Sequence, residues 1–210
     1  MLYRTPKFSL GFNWRSGFDI KYSGDMTLDT SPIPDPFRPL FPTTAGGETT
    51  FKFPHIFGLG ASFTPLEKLL LSLDIHYVLW SRFDEYVVTF DDPRIDKMVM
   101  NENWDDSWLF RLGGQYTFSP KFCLRAGFLY DQTPQPVESM DPLLPDADRY
   151  ALTAGFGWKL AKNLVLDLTF HHEMFNERTS PNRNIYPFNW GESEYSLSAE
   201  LLGISLSFVF

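Results

Sequence analysis

The sequence predicts an all-β fold, an antiparallel transmembrane β-barrel of about eight strands with short turns at one end and long loops at the other. Three observations predict it. The last nine residues, Leu202 to Phe210, alternate apolar Leu202, Ile204, Leu206, Phe208 and Phe210 with small Gly203, Ser205 and Ser207, which is a strand with one apolar face. Short Pro- and Asn-containing turns then alternate strictly with long polar loops along the whole chain. Finally, no run of about 18 apolar residues exists to make a transmembrane helix, although aromatic residues make up 17% of the chain. Alternating strands dilute hydropathy, so a membrane barrel is compatible with that absence.

The short turns are Thr5 to Phe8, Thr64 to Lys68, Ser119 to Phe122 and Ala161 to Leu164. Proline and Asn preset turn geometry there, and an apolar strand follows each. The long segments, roughly Leu28 to Thr49, Asp91 to Asp105, Gln132 to Asp148 and Asn176 to Glu192, are rich in Pro, Asp, Asn and Ser. Tight periplasmic turns opposite long extracellular loops are the asymmetry of outer-membrane barrels.

The strands follow in order. From Phe8 to Tyr22 the residues Phe8, Leu10, Phe12, Trp14, Phe18, Ile20 and Tyr22 share one face, and the phase runs unbroken through Ser16 and Gly17, so one long strand is expected. Phe51 to Phe63 and Leu69 to Leu79 follow, and a phase change after Glu85 suggests a bulge. The next faces are Trp108 to Phe118, Phe122 to Tyr130, Tyr150 to Leu160 and Leu164 to Phe170. Tyr195 to Phe210 closes the series, with a second phase change near Leu201 and Leu202. Tyr22, Tyr77, Trp80, Tyr116, Tyr130, Tyr150 and Trp158 fall near strand ends, where interfacial aromatic girdles belong.

Charge and cysteine content remove several function classes. A net charge of -8 with unclustered Lys and Arg argues against nucleic acid as a partner. Cys123 is the single cysteine, so neither an intrachain disulfide nor a Cys-rich zinc site is available. No cofactor, metal or catalytic constellation emerges. His171 and His172 are strand neighbours pointing to opposite faces, which keeps them from sharing an ion, and Asp141, Asp146 and Asp148 read as solvated or paired loop carboxylates more readily than as a calcium site. The first residues carry no basic segment followed by an apolar run, so a mature form or a fragment is expected.

Several stretches together resemble the long-chain fatty acid transporters of the Gram-negative outer membrane, the FadL/TodX group. They are Thr5 to Asp25 (TPKFSLGFNWRSGFDIKYSGD), Gly58 to Trp80 (GLGASFTPLEKLLLSLDIHYVLW), Leu124 to Pro134 (LRAGFLYDQTP) and Pro145 to Trp158 (PDADRYALTAGFGW). The resemblance implies the C-terminal part of a larger barrel, with residues 1–210 forming one barrel domain and Met1 to Tyr3 the tail of a preceding strand. The family's hatch, with its Asn-Pro-Ala start, and its early strands have no counterpart here. It implies passive outer-membrane transport of long-chain fatty acids or other hydrophobic small molecules, without enzymatic chemistry. The implied surroundings are outer-membrane lipid and lipopolysaccharide, a hydrophobic small-molecule ligand and the barrel assembly machinery, for which Phe208 and Phe210 resemble the assembly signal.

Candidate ligand contacts come from the polar face: Arg15, Lys21, Arg82, Arg111, Arg125 and Lys159, interleaved with Asp19, Asp74, Asp131, Asp167 and Glu173. A guanidinium beside an apolar channel can hold a carboxylate by a charge-assisted hydrogen bond, and Arg111 and Arg125, on adjacent strands, are the foremost candidates. Cross-strand pairing of these charges is the competing use. In the first long loop, Phe37 and Phe41 among prolines are candidates for first contact with apolar molecules. Two other readings remain: a non-transporting small barrel closed on its own strands or a fragment, and a soluble lipid-binding β-barrel with the aromatic face inward.

Overall fold

The computed structural model describes residues 1–142, 144–185 and 188–208, with the backbone alone for 183–185 and 188–190. Its strands are β1 (Leu2–Arg4), β2 (Phe8–Arg15), β3 (Phe18–Thr27), β4 (Thr44–Phe53), β5 (Ile56–Leu66), β6 (Leu69–Val78), β7 (Glu85–Phe90), β8 (Met98–Asn101) and β9 (Ser107–Ser119). They continue as β10 (Phe122–Asp131), β11 (Arg149–Ala161), β12 (Leu164–Phe175), β13 (Arg178–Ser180), β14 (Arg183–Ile185), β15 (Phe188–Trp190), β16 (Ser193–Tyr195) and β17 (Ser198–Phe208). A nine-stranded antiparallel wall runs β1-β2-β5-β6-β9-β10-β11-β12-β17, and a four-stranded sheet, β3-β4-β7-β8, stands at the loop end. Two small ladders, β13-β16 and β14-β15, occupy the last long loop.

The wall corrects the expected count. It holds nine strands where about eight were expected, because Leu2–Arg4, in the stretch expected as the tail of a preceding strand, pairs with β2 as a short strand of its own. It is also open. β1 and β17 are its edges, so Leu202 to Phe208 pairs with β12 alone and not with Phe8 to Tyr22. Phe208 lies opposite Leu164, and Phe210 falls outside the described residues.

The expected long strand from Phe8 to Tyr22 is two strands, as is Phe51 to Phe63. The wall hairpin β2-β5 ends at Arg15 opposite Ile56, and the hairpin β3-β4 of the second sheet begins at Phe18 opposite Phe53. The register carries over without a slip, which is why alternation alone did not reveal the break. Pro54, with no N–H to give, sits in the gap.

The phase change after Glu85 is likewise no bulge. The chain leaves the wall through a 3-10 turn, Trp80–Arg82, and β7 starts with a fresh parity in the other sheet. Nor does β17 slip at Leu201: one register runs from Met174 opposite Ser198 to Leu164 opposite Phe208, and Leu201 is simply an apolar residue on the polar face, opposite His171. The wall's real irregularities lie at three of its short turns, between Phe63 and Leu66, at Phe122 and Cys123, and between Lys159 and Ala161.

The turn end is stepped. Phe8, which follows the β1-β2 turn, lies in the row of Phe63, Leu71, Gly114 and Ala126. Leu69, which follows the β5-β6 turn, lies in the row of Tyr116 and Leu124, two residues lower on β10, and β10 itself opens two lower again, at Phe122. Hairpins that step uniformly have strands inclined to the sheet axis, the stagger that barrel closure requires.

Two belts of rings cross the apolar face. At the loop end Tyr77 meets Trp108 (4.5 Å between centroids), Phe110 meets Tyr130 (6.4 Å) and Tyr130 meets Tyr150 (5.0 Å). At the turn end Tyr116 meets Phe118 (4.7 Å) and Phe122 meets Phe156 (5.8 Å). From Trp108 to Phe118 a strand covers about 34 Å, and a tilt of about 45° projects this onto about 24 Å, close to the apolar band of about 25 Å between girdles. Trp80 and Tyr22 are not girdle residues: Trp80 packs on Trp104 and Tyr22 on Phe51, both at the loop end.

The wall's apolar residues stay exposed, Leu112 at 57% and Leu152 at 54%, so the wall itself has no core. The buried residues Phe83, Met100, Trp104 and Met140 sit instead beneath the long loops.

Candidate functional site

The polar face of the wall holds two concavities. One, at the loop end, has a volume of about 560 Å³ and is lined by Arg15 of β2, His76 of β6, Arg111 of β9 and Arg149 of β11, together with Asp131, Asp146 and apolar Trp80, Trp104 and Leu144. Alternation on each strand turns these arginines and His76 to the same side. Among the described residues neither Arg15 nor Arg111 has an ion-pair or hydrogen-bond partner, although Arg111 stands in register with Asp74. Arg149 differs. It pairs with Asp131 (2.5 Å) and Glu173 (3.4 Å), and Glu173 also lies 3.8 Å from His171.

The second concavity is a trough of about 570 Å³ running across the strands. Ser72, Gly113, Gly127 and Thr153 form its floor as one row of register partners, with His171 at its end. Small residues keep that floor low: a Cβ at Gly113 would lie 2.8 Å from Ser72 Oγ and one at Gly127 2.7 Å from Thr153 Oγ1, so these hydroxyls would have to turn aside. Arg111 stands on one bank and Arg125 on the other. Arg125 donates to Gln115 (2.8 Å) and pairs with Asp167 (2.5 Å). The two arginines are thus brought to one groove, one free and one held.

The other candidate residues lie elsewhere. Arg82 and Asp19 pair with one another at the junction of the two sheets (2.9 Å), and Lys21 pairs with Glu48 inside the loop-end sheet (2.7 Å). Phe37 and Phe41 are exposed, at 56% and 48%, flanking a turn that Arg38 pins by bonds to Ser31 and Ile33 carbonyls. The loop carboxylates serve their own loop: Asp146 accepts from Thr133 Oγ1, Asp148 from the Thr133 N–H and Tyr130 hydroxyl, and Asp141 from the Leu144 N–H. His172 faces Glu200 on the opposite side of the sheet from His171 (3.5 Å). Sequence reasoning missed Trp80 and Trp104 as pocket walls, and the loop fold that seats Trp104 against Trp80 brings them there, whereas His76 comes in by the alternation of β6.

The family model described as "Outer membrane protein transport protein (OMPP1/FadL/TodX)" matches residues 1–210. The chain belongs to this family. It is 25% identical over 218 residues to the long-chain fatty acid transport protein of Salmonella typhi, covering 100% of this chain and 48% of that protein. It is 29% identical over 126 residues to outer membrane protein P1 of Haemophilus influenzae, covering 59% of this chain and 27% of that protein. A crystal structure of a Pseudomonas aeruginosa FadL homologue superposes with a TM-score of 0.84 at 19% identity, over 99% of this chain and 50% of the other. The P. putida toluene transporter TodX superposes with a TM-score of 0.64 at 14% identity, over 99% and 47%. The chain spans about half the length of the long-chain fatty acid transport proteins it matches.

This FadL/TodX family member is therefore an outer-membrane protein, and its solved relatives are barrels. In outer-membrane barrels generally the short-turn end is periplasmic, the long-loop end extracellular and the apolar face turned to lipid. The pocket and trough lie on the opposite, polar face of the wall. Family members are transport channels.

Proposed function

We propose that residues 1–210 form the C-terminal portion of a larger barrel domain that lets hydrophobic small molecules, long-chain fatty acids among them, cross the outer membrane passively. The observation that supports this reading is the outer pocket, which the unpartnered guanidinium groups of Arg15 and Arg111 line together with apolar Trp80, Trp104 and Leu144. Such a cavity suits a molecule with an apolar body and a single anionic end. Arg125, across the trough from Arg111, receives that end next by exchanging it for Asp167. Arg82, paired at the sheet junction, stands outside this path, and exposed Phe37 and Phe41 make the first apolar contact at the cell surface. No bond is made or broken, and the driving force is the molecule's own gradient.

The test is binding of a long-chain fatty acid and of the alcohol of equal chain length to the full-length protein and to Arg15→Ala and Arg111→Ala. Removing one charge-assisted hydrogen bond weakens fatty acid binding about tenfold and leaves the alcohol within about twofold. Equal losses for both ligands, or no loss for either, overturn the carboxylate role. The closed small barrel is not favoured, because the wall is open at β1 and β17. Retention of a folded monomer without detergent would instead support the soluble barrel.

A further inference from the structure

One charged side chain reaches across the junction between the wall and the loop-end sheet. The chain passes between the two sheets at residues 16–17 and 54–55, where the paired hairpins change sheet, and again at residues 79–84 between β6 and β7. Arg82, in the third passage, reaches the other two. Its Nη2 donates to Asp19 of β3 (2.9 Å) and its Nη1 lies 3.0 Å from Nε2 of His55. The other ring nitrogen, Nδ1, lies 2.9 Å from the Gly17 nitrogen; a neutral imidazole has a single acceptor, so it takes either the Arg82 or the Gly17 N–H and not both, and the ring lies parallel to that of Trp14, 11° between planes and 6.1 Å between centroids.

Gly17 is part of the fit. Its φ is not positive, so no special backbone conformation calls for glycine. The need is space: a Cβ there would lie 2.3 Å from Arg82 Nη1 and 2.8 Å from the Phe53 carbonyl oxygen. The guanidinium therefore occupies a hole that a missing side chain leaves between β2 and β3, and it touches one partner on the wall side, His55, and one on the sheet side, Asp19.

A backbone bond from the Leu79 N–H to the His55 carbonyl (2.9 Å) joins two of the passages, and a chain of rings bridges the rest. Trp80 meets Trp104 (5.0 Å), Trp104 meets Phe83 (4.9 Å), and Phe83 meets Phe51 of β4 (5.8 Å). Two members of that chain, Trp80 and Trp104, line the outer pocket. A displacement of the sheet is carried by direct packing to the pocket's apolar side.

We propose that the Arg82 guanidinium is a latch: seated between His55 and Asp19 it fixes the angle of the loop-end sheet to the wall, and unseated it lets that sheet swing about residues 16–17 and 54–55. The latch is a positioning device and touches no ligand. It stands on the junction geometry alone and does not depend on what the channel carries.

The test is hydrogen exchange of the full-length protein in lipid nanodiscs, comparing wild type with Arg82→Ala, Arg82→Lys and Asp19→Asn. In Arg82→Ala the amides of β3, β4 and β7 and of residues 80–84 and 102–106 exchange at least about tenfold faster, while those of β9 to β12 keep their wild-type rates. Lysine can meet only one of the two partners, so Arg82→Lys recovers part of the protection. Asp19→Asn keeps the shape, weakens the pair and speeds the same amides by less. An Arg82→Ala, Asp19→Asn double variant is no faster than Arg82→Ala, since both act through one contact. Unchanged exchange in β3, β4 and β7 overturns the latch. Equal acceleration of β9 to β12 also overturns it, because Arg82 would then only support the fold as a whole. Should Arg82→Ala fail to insert, Asp19→Asn decides between the same outcomes by itself.

Discussion

A carboxylate at the loop-end rim shows how one residue can be read through its partners. Asp106, just ahead of β9, accepts hydrogen bonds from the Tyr77 hydroxyl (2.9 Å) and the Ser81 N–H (3.0 Å), tying the end of β6 and the 3-10 turn to the start of β9. Burial pushes its carboxyl up, but the bonds from Ser81 and Tyr77 outweigh that and hold it below the ordinary value of 3.8. With the folded value below the unfolded one, the carboxylate's stabilisation is present above the ordinary range and is lost as pH falls through the lowered value. Asp106→Ala is expected to cost about 1 kcal/mol at neutral pH. In urea titrations of the folded protein in micelles, the gap between wild type and variant should close as pH falls through that lowered value and the wild-type carboxyl is protonated. A gap of the same size above and below it would mean that packing, not the carboxylate, carries the effect. The arginines obey the same logic. Arg125 is held by Asp167 two strands away, over Gly157, and Arg149 by acids on both neighbouring strands, which leaves Arg111 and Arg15 with charge to offer a ligand.

At the scale of strands, two glycines give opposite expectations. A Cβ on Gly155 of β11 would stand 2.6 Å from the Leu168 carbonyl oxygen of β12, a backbone atom that cannot yield without disturbing the ladder. On Gly203 of β17 it would meet nothing nearer than Thr169 Cβ at 3.8 Å. Gly155→Ala is therefore expected to destabilise by about 1–3 kcal/mol and Gly203→Ala by under about 0.5, measured as shifts in urea midpoint. The reverse order would show that β11 and β12 adjust freely. What made such strands legible was period two: every long wall strand from β5 to β12, and all four short turns, follow from alternation and turn residues. What period two cannot report is which sheet a strand joins. The register of Arg15 opposite Ile56 resumes as Phe18 opposite Phe53, so a change of sheet leaves no trace in the alternation. The start of β7 did leave a trace, and it reads as a bulge because a bulge and a new strand shift parity alike. The site was partly legible for the same reason. Parity puts Arg15, Arg111 and Arg125 on one face, but the walls of the pocket come from Trp80, Trp104 and Leu144, which irregular segments deliver.

For the molecule as a whole, the open wall sets the strongest constraint. β1 and β17 each present one side of unpaired backbone N–H and C=O groups, and in the hydrocarbon region each unsatisfied group costs several kcal/mol, about the value of a hydrogen bond in an apolar medium. Along β17 the exposed Leu202, Ile204 and Leu206 keep the edge apolar, with 75%, 69% and 64% of their surface open. No charge blunts it there, and only Glu200 stands near its loop end. The stagger of two residues per hairpin already inclines these strands as in a closed barrel, so the edges are placed to accept further strands without rearrangement. Residues 1–210 produced alone and folded in detergent micelles are accordingly expected to join edge to edge, β17 of one copy against β1 or β17 of another. Light scattering coupled to size exclusion should report dimers or larger species, and the amides of β17 should be as protected as those of β12. Ile204→Pro removes an N–H from β17 and adds a ring at the edge, so it should shift the distribution towards monomer. A monomer with β17 amides fully protected would mean that the wall closes on itself in lipid-like surroundings, and a monomer with those amides exchanging freely would mean that detergent and water satisfy the edges well enough to leave them bare.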